Sequence, residues 1–281
     1  AAKKLDEFAT KTDKLQESIN KDTDTQHDPA YKNSKNPHKL GDNGQEDTSG
    51  YADIEKKAKD YDDALTEAKK LLTDPTATQA QVDAALKKLD EKRDALKAQD
   101  TNVEALKKSV GKHGTEKQGE TAATEGTVTS DAYRNASDPH FLDAQGKPDA
   151  KKNDEAKKAK ADYDKALAEA QELLAKHDPK SNTPLDAKPT QKQIDAALTE
   201  LNKKREALDA YKTDTTALST EAEKSQADGA TAPTTGQFED SPEFKNADDK
   251  KGKDNKDNDD VAAYKKALEA ARNLVKAATD T

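Results

Sequence analysis

The sequence predicts an all-α fold: elongated tandem three-helix bundles joined by long shared helices. Three observations predict it. Apolar residues recur at gaps of three, four and seven, which is the spacing of one helix face. The stretch Thr78 to Val110 occurs again as Thr190 to Ala222, with Arg93 mapping to Arg205, a period of 205 − 93 = 112. A third motif, built on Tyr61, returns at Tyr163 and Tyr264.

Composition sets limits on this fold. Leu, Ile, Val and Phe number 34 of 281 residues, below the share at which composition alone suggests disorder. Against that, net charge is only −9 although 37% of residues are charged, so like-charge repulsion is modest. The few apolar residues also fall at helical spacing. Thin, Ala-rich helical cores separated by long solvated loops satisfy both facts, and such shallow cores give modest stability. The chain has no Cys, which excludes disulfides, thiolate metal sites and thiol nucleophiles. No run approaches the ~18 apolar residues of a membrane span and no signal peptide is visible, so membrane insertion is not expected. Lys is interleaved with Asp and Glu in an acidic chain, which argues against a nucleic-acid partner.

Residues 3 to 21 carry Leu5, Phe8, Leu15 and Ile19. Their spacing matches Leu96, Gln99, Leu106 and Val110, so the first helix corresponds to the second half of a shared long helix. The chain thus starts inside an amphipathic pattern, as a fragment of a longer array would. Residues 22 to 50 read as a polar loop with Pro29, Pro37, Gly41, Gly44 and Gly50. Tyr31 sits there in DPAYKNS. Its copies read as DPHFLDA around Phe141 and SPEFKNA around Phe244, with a near-copy DAYRNAS at Tyr133. An aromatic in a polar loop is expected to pin that loop to the core; an exposed ligand contact is the other reading.

A second helix follows from about Ala52 to Leu72, with Ile54, Ala58, Tyr61, Leu65, Ala68 and Leu72 in a four-three stripe. Asp74-Pro75 stops it. Thr78 with Gln81, and Thr190 with Gln193, are capping boxes that start the long helices. Neither Pro nor Gly interrupts Thr78 to Val110, so that helix is expected to run unbroken from one unit into the next, about 50 Å long. The weak point is Asp100-Thr101, where a fresh helix could be capped, with Asp214 the less aligned candidate in the second copy. The units are therefore 1–98, 99–210 and 211–281, the last stopping after its second helix and expected to be the least stable.

Catalytic chemistry finds little support. His27, His38, His113, His140 and His177 fall in loops or at helix ends, none paired at i,i+4. Asp22, Asp24, Gln26 and Asp28 alternate as in a calcium loop, but His27 stands where an EF-hand needs Gly and Asn33 where it needs a bidentate Glu. Asp254, Asp257, Asp259 and Asp260 read as a solvated run favouring the start of the next helix. No pair of carboxylates sits in an apolar pattern of the sort acid–base catalysis uses. No enzyme activity, metal or cofactor is expected.

Three motifs together resemble the FIVAR repeat of Gram-positive cell-surface proteins. They are Tyr/Phe-Lys-Asn-Ala/Ser (Tyr31, Asn33; Phe244, Asn246), Tyr-Asp-x-Ala-Leu (Tyr61 to Leu65; Tyr163 to Leu167) and Thr-Gln-x-Gln-Val/Ile-Asp-x-Ala-Leu (Thr78 to Leu86; Thr190 to Leu198). The sequence departs in its longer loops before the second helix, and at Phe141-Leu142-Asp143, where the Asn is read as lost. The resemblance implies three-helix bundles in tandem arrays of giant wall-anchored adhesins, an extracellular location, and fibronectin binding in some members. Two functions follow as expectations. One is a stalk, monomeric within a longer array. The other is a direct binding module for a host matrix protein such as fibronectin, with Tyr31, Asn33, Phe141, Phe244 and Asn246 as candidate contacts.

Overall fold

A computed structural model describes residues 9–114, 126–225, 237–249 and 259–279. Leu5, Phe8, Asp254 and Asp257 lie outside the described residues. Among those described the chain is all-α. The only extended pairing among the described residues is two isolated antiparallel bridges, Leu40 to Glu46 and Leu142 to Pro148. Each bridge closes a turn holding a glycine at positive φ, Gly44 (φ 72°) or Gly146 (φ 75°), a backbone that side chains rarely adopt. The chain divides into two compact units, residues 1–211 and 212–281.

The first unit holds α1 (Asp13–Asn20), α2 (Asp22–His27), α3 (Pro29–Lys35), α4 (Tyr51–Leu72), α5 (Gln79–Leu96), α6 (Glu104–Gly111), α7 (Asp131–Ser137), α8 (Ala150–His177) and α9 (Gln191–Leu208). They form two cores. In the first, Leu15 and Ile19 of α1 meet Tyr61, Ala64, Leu65 and Ala68 of α4 and Val82, Ala85, Leu89 and Leu96 of α5. The second repeats this with Leu106 of α6, Tyr163, Ala166, Leu167 and Ala170 of α8, and Ile194, Leu201 and Leu208 of α9. Small residues let the helices approach, and one Tyr per core supplies the bulk that Ala does not. Both capping boxes form: Thr78 N donates to Gln81 Oε1 at 2.8 Å and Thr190 N to Gln193 Oε1 at 2.9 Å.

Two expectations need correction. Thr78 to Val110 is helical for most of its length and serves both bundles, but it is not one unbroken helix. After α5 come a 3₁₀ turn, Lys97–Gln99, and an extended Asp100 (φ −59°, ψ 155°) before α6 starts. No Gly or Pro is used. Asp100 Oδ1 accepts from Thr101 N at 2.8 Å and Asn102 Oδ1 from Glu104 N at 3.0 Å, the local side-chain bonds with which Asp and Asn replace a helical ladder. The second copy uses Asp214 Oδ1, which accepts from Thr216 N at 2.9 Å.

The polar loop 22–50 is also partly helical. Asp28 caps α3 by accepting from Ala30 N at 2.8 Å, with Pro29 at the first helical position. In the second bundle the counterpart cap is Ser130, whose Oγ accepts from Tyr133 N at 3.2 Å. The counterpart of Tyr31 is therefore Tyr133, and Phe141 is not a copy of it. The shared Asp-Pro spelling misleads, because Asp138-Pro139 follows α7 instead of starting it.

The second unit holds α10 (Thr216–Glu223), α11 (Pro242–Asp248) and α12 (Asp259–Thr279). Ser241 Oγ caps α11 by accepting from Phe244 N at 3.1 Å. Val261 and Ala222 are its buried apolar residues among those described.

Candidate functional site

Each bundle carries an aromatic knot where its short helix meets its second helix. Tyr31 on α3 packs edge-on against Tyr61 of α4, centroids 5.9 Å apart at 74°. Tyr133 on α7 meets Tyr163 of α8 at 6.0 Å and 80°. Phe244 on α11 meets Tyr264 of α12 at 5.7 Å and 71°. The two tyrosines add a hydrogen bond that Phe cannot make: Tyr31 Oη donates to Asp62 Oδ1 and Tyr133 Oη to Asp164 Oδ1, both at 2.9 Å. Burial, and then Asp62, push the Tyr31 phenol upward; Tyr133 is pushed the same way by burial.

The buried tyrosine beneath has a different partner in each copy. Tyr61 Oη donates to Asp22 Oδ1 at 3.1 Å, Tyr163 Oη meets His113 Nδ1 at 3.0 Å, and Tyr264 Oη meets Ser225 Oγ. Asp22 also pairs with Lys69. It lies with Asp24 and Gln26 on α2, and Asp28 is spent as a cap, so these residues form a helix and not a calcium loop. Among the described residues no group of three or more potential ligands could hold a metal ion.

An arginine closes each complete bundle. Arg93 lies over the Tyr61 ring at 5.9 Å and Arg205 over Tyr163 at 5.8 Å. Arg93 Nη2 donates to Ser18 O at 2.6 Å and Arg205 Nη2 to Ser109 O at 2.6 Å. Each guanidinium thus satisfies a carbonyl near the end of the bundle's first helix while stacking on its core aromatic. In the sequence these arginines appear only as a marker of the period.

The two bundles of the first unit meet at a seam built on Asn33. Asn33 is 5% exposed. Its Nδ2 donates to Gln99 O at 2.9 Å and to Thr101 Oγ1 at 3.1 Å, and its Oδ1 accepts from Gln191 N at 2.9 Å. One side chain of the first bundle therefore joins the break after α5 to the start of α9. Thr101 Oγ1 donates on to Pro189 O at 2.9 Å, and His177 Nε2 stands 3.1 Å from Thr101 O. Gln191 Oε1 accepts from Asn102 N at 2.8 Å.

Part of this latch is simply how each bundle of the first unit ties the start of its first helix to that of its third. In the first bundle Thr10 Oγ1 donates to Ala77 O at 2.7 Å and Lys11 N to Gln79 Oε1 at 2.7 Å. What the seam adds is Asn33. The break in the long helix follows from this arrangement, because a continuous helix would hold Thr101 and Asn102 in the ladder and away from the latch.

A cavity of about 410 Å³ opens beside the seam, lined among others by Asn33, His38, Asp100, Gln191 and Asp195. Asp195 is 7% exposed; burial pushes its carboxyl upward, against the opposing pull of Gln191 and His38. His38 Nδ1 is buried 3.8 Å from Asp195 Oδ2, with no hydrogen-bond partner.

The five candidate contacts are thus dispersed. Asn33 is committed to the seam. Tyr31 is half-buried in the first knot. Phe141 is half-buried against Tyr211, with the Lys152 ammonium 4.5 Å above its ring. Phe244 is half-buried between Phe238 and Tyr264, and Asn246 is exposed. The Asn read as lost from the second copy is present as Asn135, whose Nδ2 donates to Tyr211 O at 2.8 Å, as Asn33 does to Gln99 O. Reading each copy from its helix cap would have found it.

Fold and seam define a class: a helical repeat chain whose bundles are stapled through backbone carbonyls and side-chain amides. Two segments, residues 38–97 and 142–209, match the family model described as FIVAR domain. A FIVAR domain is thus found twice, as fits a FIVAR-repeat region. Each match spans a glycine turn with the second and third helices of a bundle. No curated protein and no solved structure matches the chain.

Proposed function

We propose that this chain is the repeat region of a bacterial cell-wall-associated adhesin and acts there as a semi-rigid stalk. Its units are read as residues 1–98, 99–210 and 211–281. The observation that carries the reading is the seam: Asn33 is buried, with three hydrogen bonds spanning the bundle junction. A junction of polar bonds with defined geometry resists bending more than a free linker does, which is what a stalk needs to hold a distal domain at reach. FIVAR domains occur in extracellular bacterial proteins, which supports the location. No described helix is long and apolar enough to cross a membrane. The repeat character of the family supports a non-enzymatic role.

Small-angle scattering tests the stalk. The chain should show a maximum dimension well above the ~50 Å of a compact globule this size. Asn33→Ala should broaden the distribution of dimensions. A profile as compact as a single globule would sink the reading. The alternative, direct binding of a host matrix protein, separates from it by titrating fibronectin over immobilised chain: saturable binding that survives physiological salt would favour the binding module.

A further inference from the structure

The cavity beside the seam is made by the junction of the first two bundles. His38, Lys39 and Leu40 enter it from the turn between α3 and α4, Asp100 and Asn102 from the break after α5, and Asp195 and Leu198 from α9. Its volume of about 410 Å³ is that of a small-molecule site. The counterpart of Asp195 in the first bundle, Asp83, is exposed, so the junction is what encloses this carboxylate.

Two atoms of the wall stand ready for a guest. The Asp195 side chain is 10% exposed, and its Oδ1 accepts from Gln191 Nε2 at 2.9 Å. Its Oδ2 lies 3.8 Å from the buried, unpartnered His38 Nδ1. That gap is too long for a direct hydrogen bond, but a third atom can sit about 2.9 Å from both. No Lys or Arg pairs with Asp195 among the described residues, and burial pushes its carboxyl upward, as expected where a buried charge lacks a cation. Lys39 in the wall is paired with Asp47 at 2.8 Å, and Glu104 with Lys107 at 3.0 Å. Asp100 and Asp195 therefore leave the cavity acidic, which disfavours an anion. Among the described residues no group of three ligands could hold a metal ion. Leu40, Ile54 and Leu198 add half-buried apolar wall. Such a lining matches an organic cation on an alkyl stem.

We propose that the seam cavity binds a primary alkylammonium group. One N–H would donate to Asp195 Oδ2 and another to His38 Nδ1, in the tautomer that carries its proton on Nε2. The alkyl chain would lie against Leu40, Ile54 and Leu198. His38 belongs to the first bundle and Asp195 to the second, so the guest would tie the two together. A free alkylamine and a lysine side chain both offer this chemistry. The inference goes beyond the stalk reading, because it gives the junction a ligand.

The test titrates the full chain with n-butylammonium chloride at neutral pH and physiological salt, read by nuclear magnetic resonance. Saturable shifts are expected at the side-chain amides of Gln191 and Asn102, with the Gln79 amide unmoved. n-Butanol, of similar shape but uncharged, should bind at least tenfold more weakly to the unaltered protein. Asp195→Asn, which keeps an acceptor for Gln191, should weaken n-butylammonium at least tenfold, and His38→Phe severalfold; Asp83→Asn should match the parent. A second arm uses Nα-acetyl-lysinamide: tighter binding than n-butylammonium supports the proposal with a lysine side chain as the source, and weaker saturable binding supports it with a free amine. No saturable shift up to tens of millimolar n-butylammonium overturns the proposal. So does equal binding of n-butanol, or parent-like binding by folded Asp195→Asn.

Discussion

Leu167 and Leu268 occupy the same place in two copies of one helix. The first, in α8, is buried beneath α9; the second, in α12, is half-exposed. The helices agree in their tyrosine, in the alanines and leucine after it, and in the short capped helix whose aromatic sits edge-on against that tyrosine. Among the described residues, α8 has a third helix packed on it and α12 has none. The local pattern is therefore enough to form a second helix and its aromatic knot, whereas the core is made by the helix that covers them. In Ala-rich bundles this division is sharp, because few side chains are large enough to bury themselves without a partner on every side.

The largest expected effect is the difference between equivalent truncations. Leu167→Ala should cost about 2–5 kcal/mol, since it opens a cavity in a packed core. Leu268→Ala should cost less than about 1 kcal/mol, as at other partly solvated sites. Urea unfolding followed by circular dichroism measures the first, and amide exchange in α12 the second. Equal costs would break the comparison. Without any substitution, amides of α12 should exchange faster than those of α4 and α8.

Next comes the Asn two residues after the loop aromatic, which recurs in all three copies as Asn33, Asn135 and Asn246. Asn33→Ala leaves the Gln191 N–H and the Gln99 carbonyl without their partner, and should cost about 1–3 kcal/mol. Asn246→Ala, at the exposed copy, should stay within about 0.5 kcal/mol. Smaller again is Tyr31→Phe, which keeps the ring against Tyr61 and removes only the bond to Asp62: about 1 kcal/mol. Phe244 already lacks that hydroxyl, so Phe244→Leu tests the ring alone, through exchange in α11 and α12. If Tyr31→Phe changed nothing, the ring contact by itself would account for the knot.

Much of this was legible in advance. The 3.6-residue period placed the second and third helices, and Thr with Gln three residues on placed the starts of α5 and α9, because both signals are local. The break between α5 and α6 is legible only as a weak point at Asp100-Thr101, since what opens it is distant: Thr101 and Asn102 are held by Pro189 and Gln191, nearly ninety residues on. Asp100 and Asn102 do with side-chain bonds what Gly or Pro does at other breaks. Tyr133 is legible only as a near-copy, because the Asp-Pro dipeptide stands before Phe141 while the helix cap, Ser130, stands before Tyr133. Asn33 was legible as a motif but not as a staple, because a sequence does not show that its three partners converge.

The smallest effect concerns a covered and an uncovered carboxylate. Asp195 and Asp83 are one period of 112 apart, and each accepts from the amide of the Gln four residues before it, Gln191 or Gln79, at 2.9 Å. Asp83 is exposed, whereas Asp195 faces the seam cavity with His38, Asp100, Glu104 and Lys39 around it. Burial raises the Asp195 carboxyl in the folded chain. A raised pKa favours the folded state while the group is protonated, below its ordinary unfolded value near 4, and that advantage is lost as pH rises through the folded value. Most shifted carboxylates on this surface move the other way. Asp60, for example, is held down to about 2 by Lys56 and Lys92, so its contribution is present at neutral pH and lost in acid. Asp195→Asn should therefore become more stable relative to the parent as pH rises from 3 to 7, against the general acid trend. Asp83→Asn makes the same exchange, charge removed and an acceptor kept for the Gln amide, at an exposed site, so subtracting its profile isolates the cost of burial. Urea midpoints at each pH measure both. A difference between the two variants that is flat across this range, or that falls as pH rises, would mean the seam leaves Asp195 as well solvated as its exposed copy, and that the bundles are not closed over it.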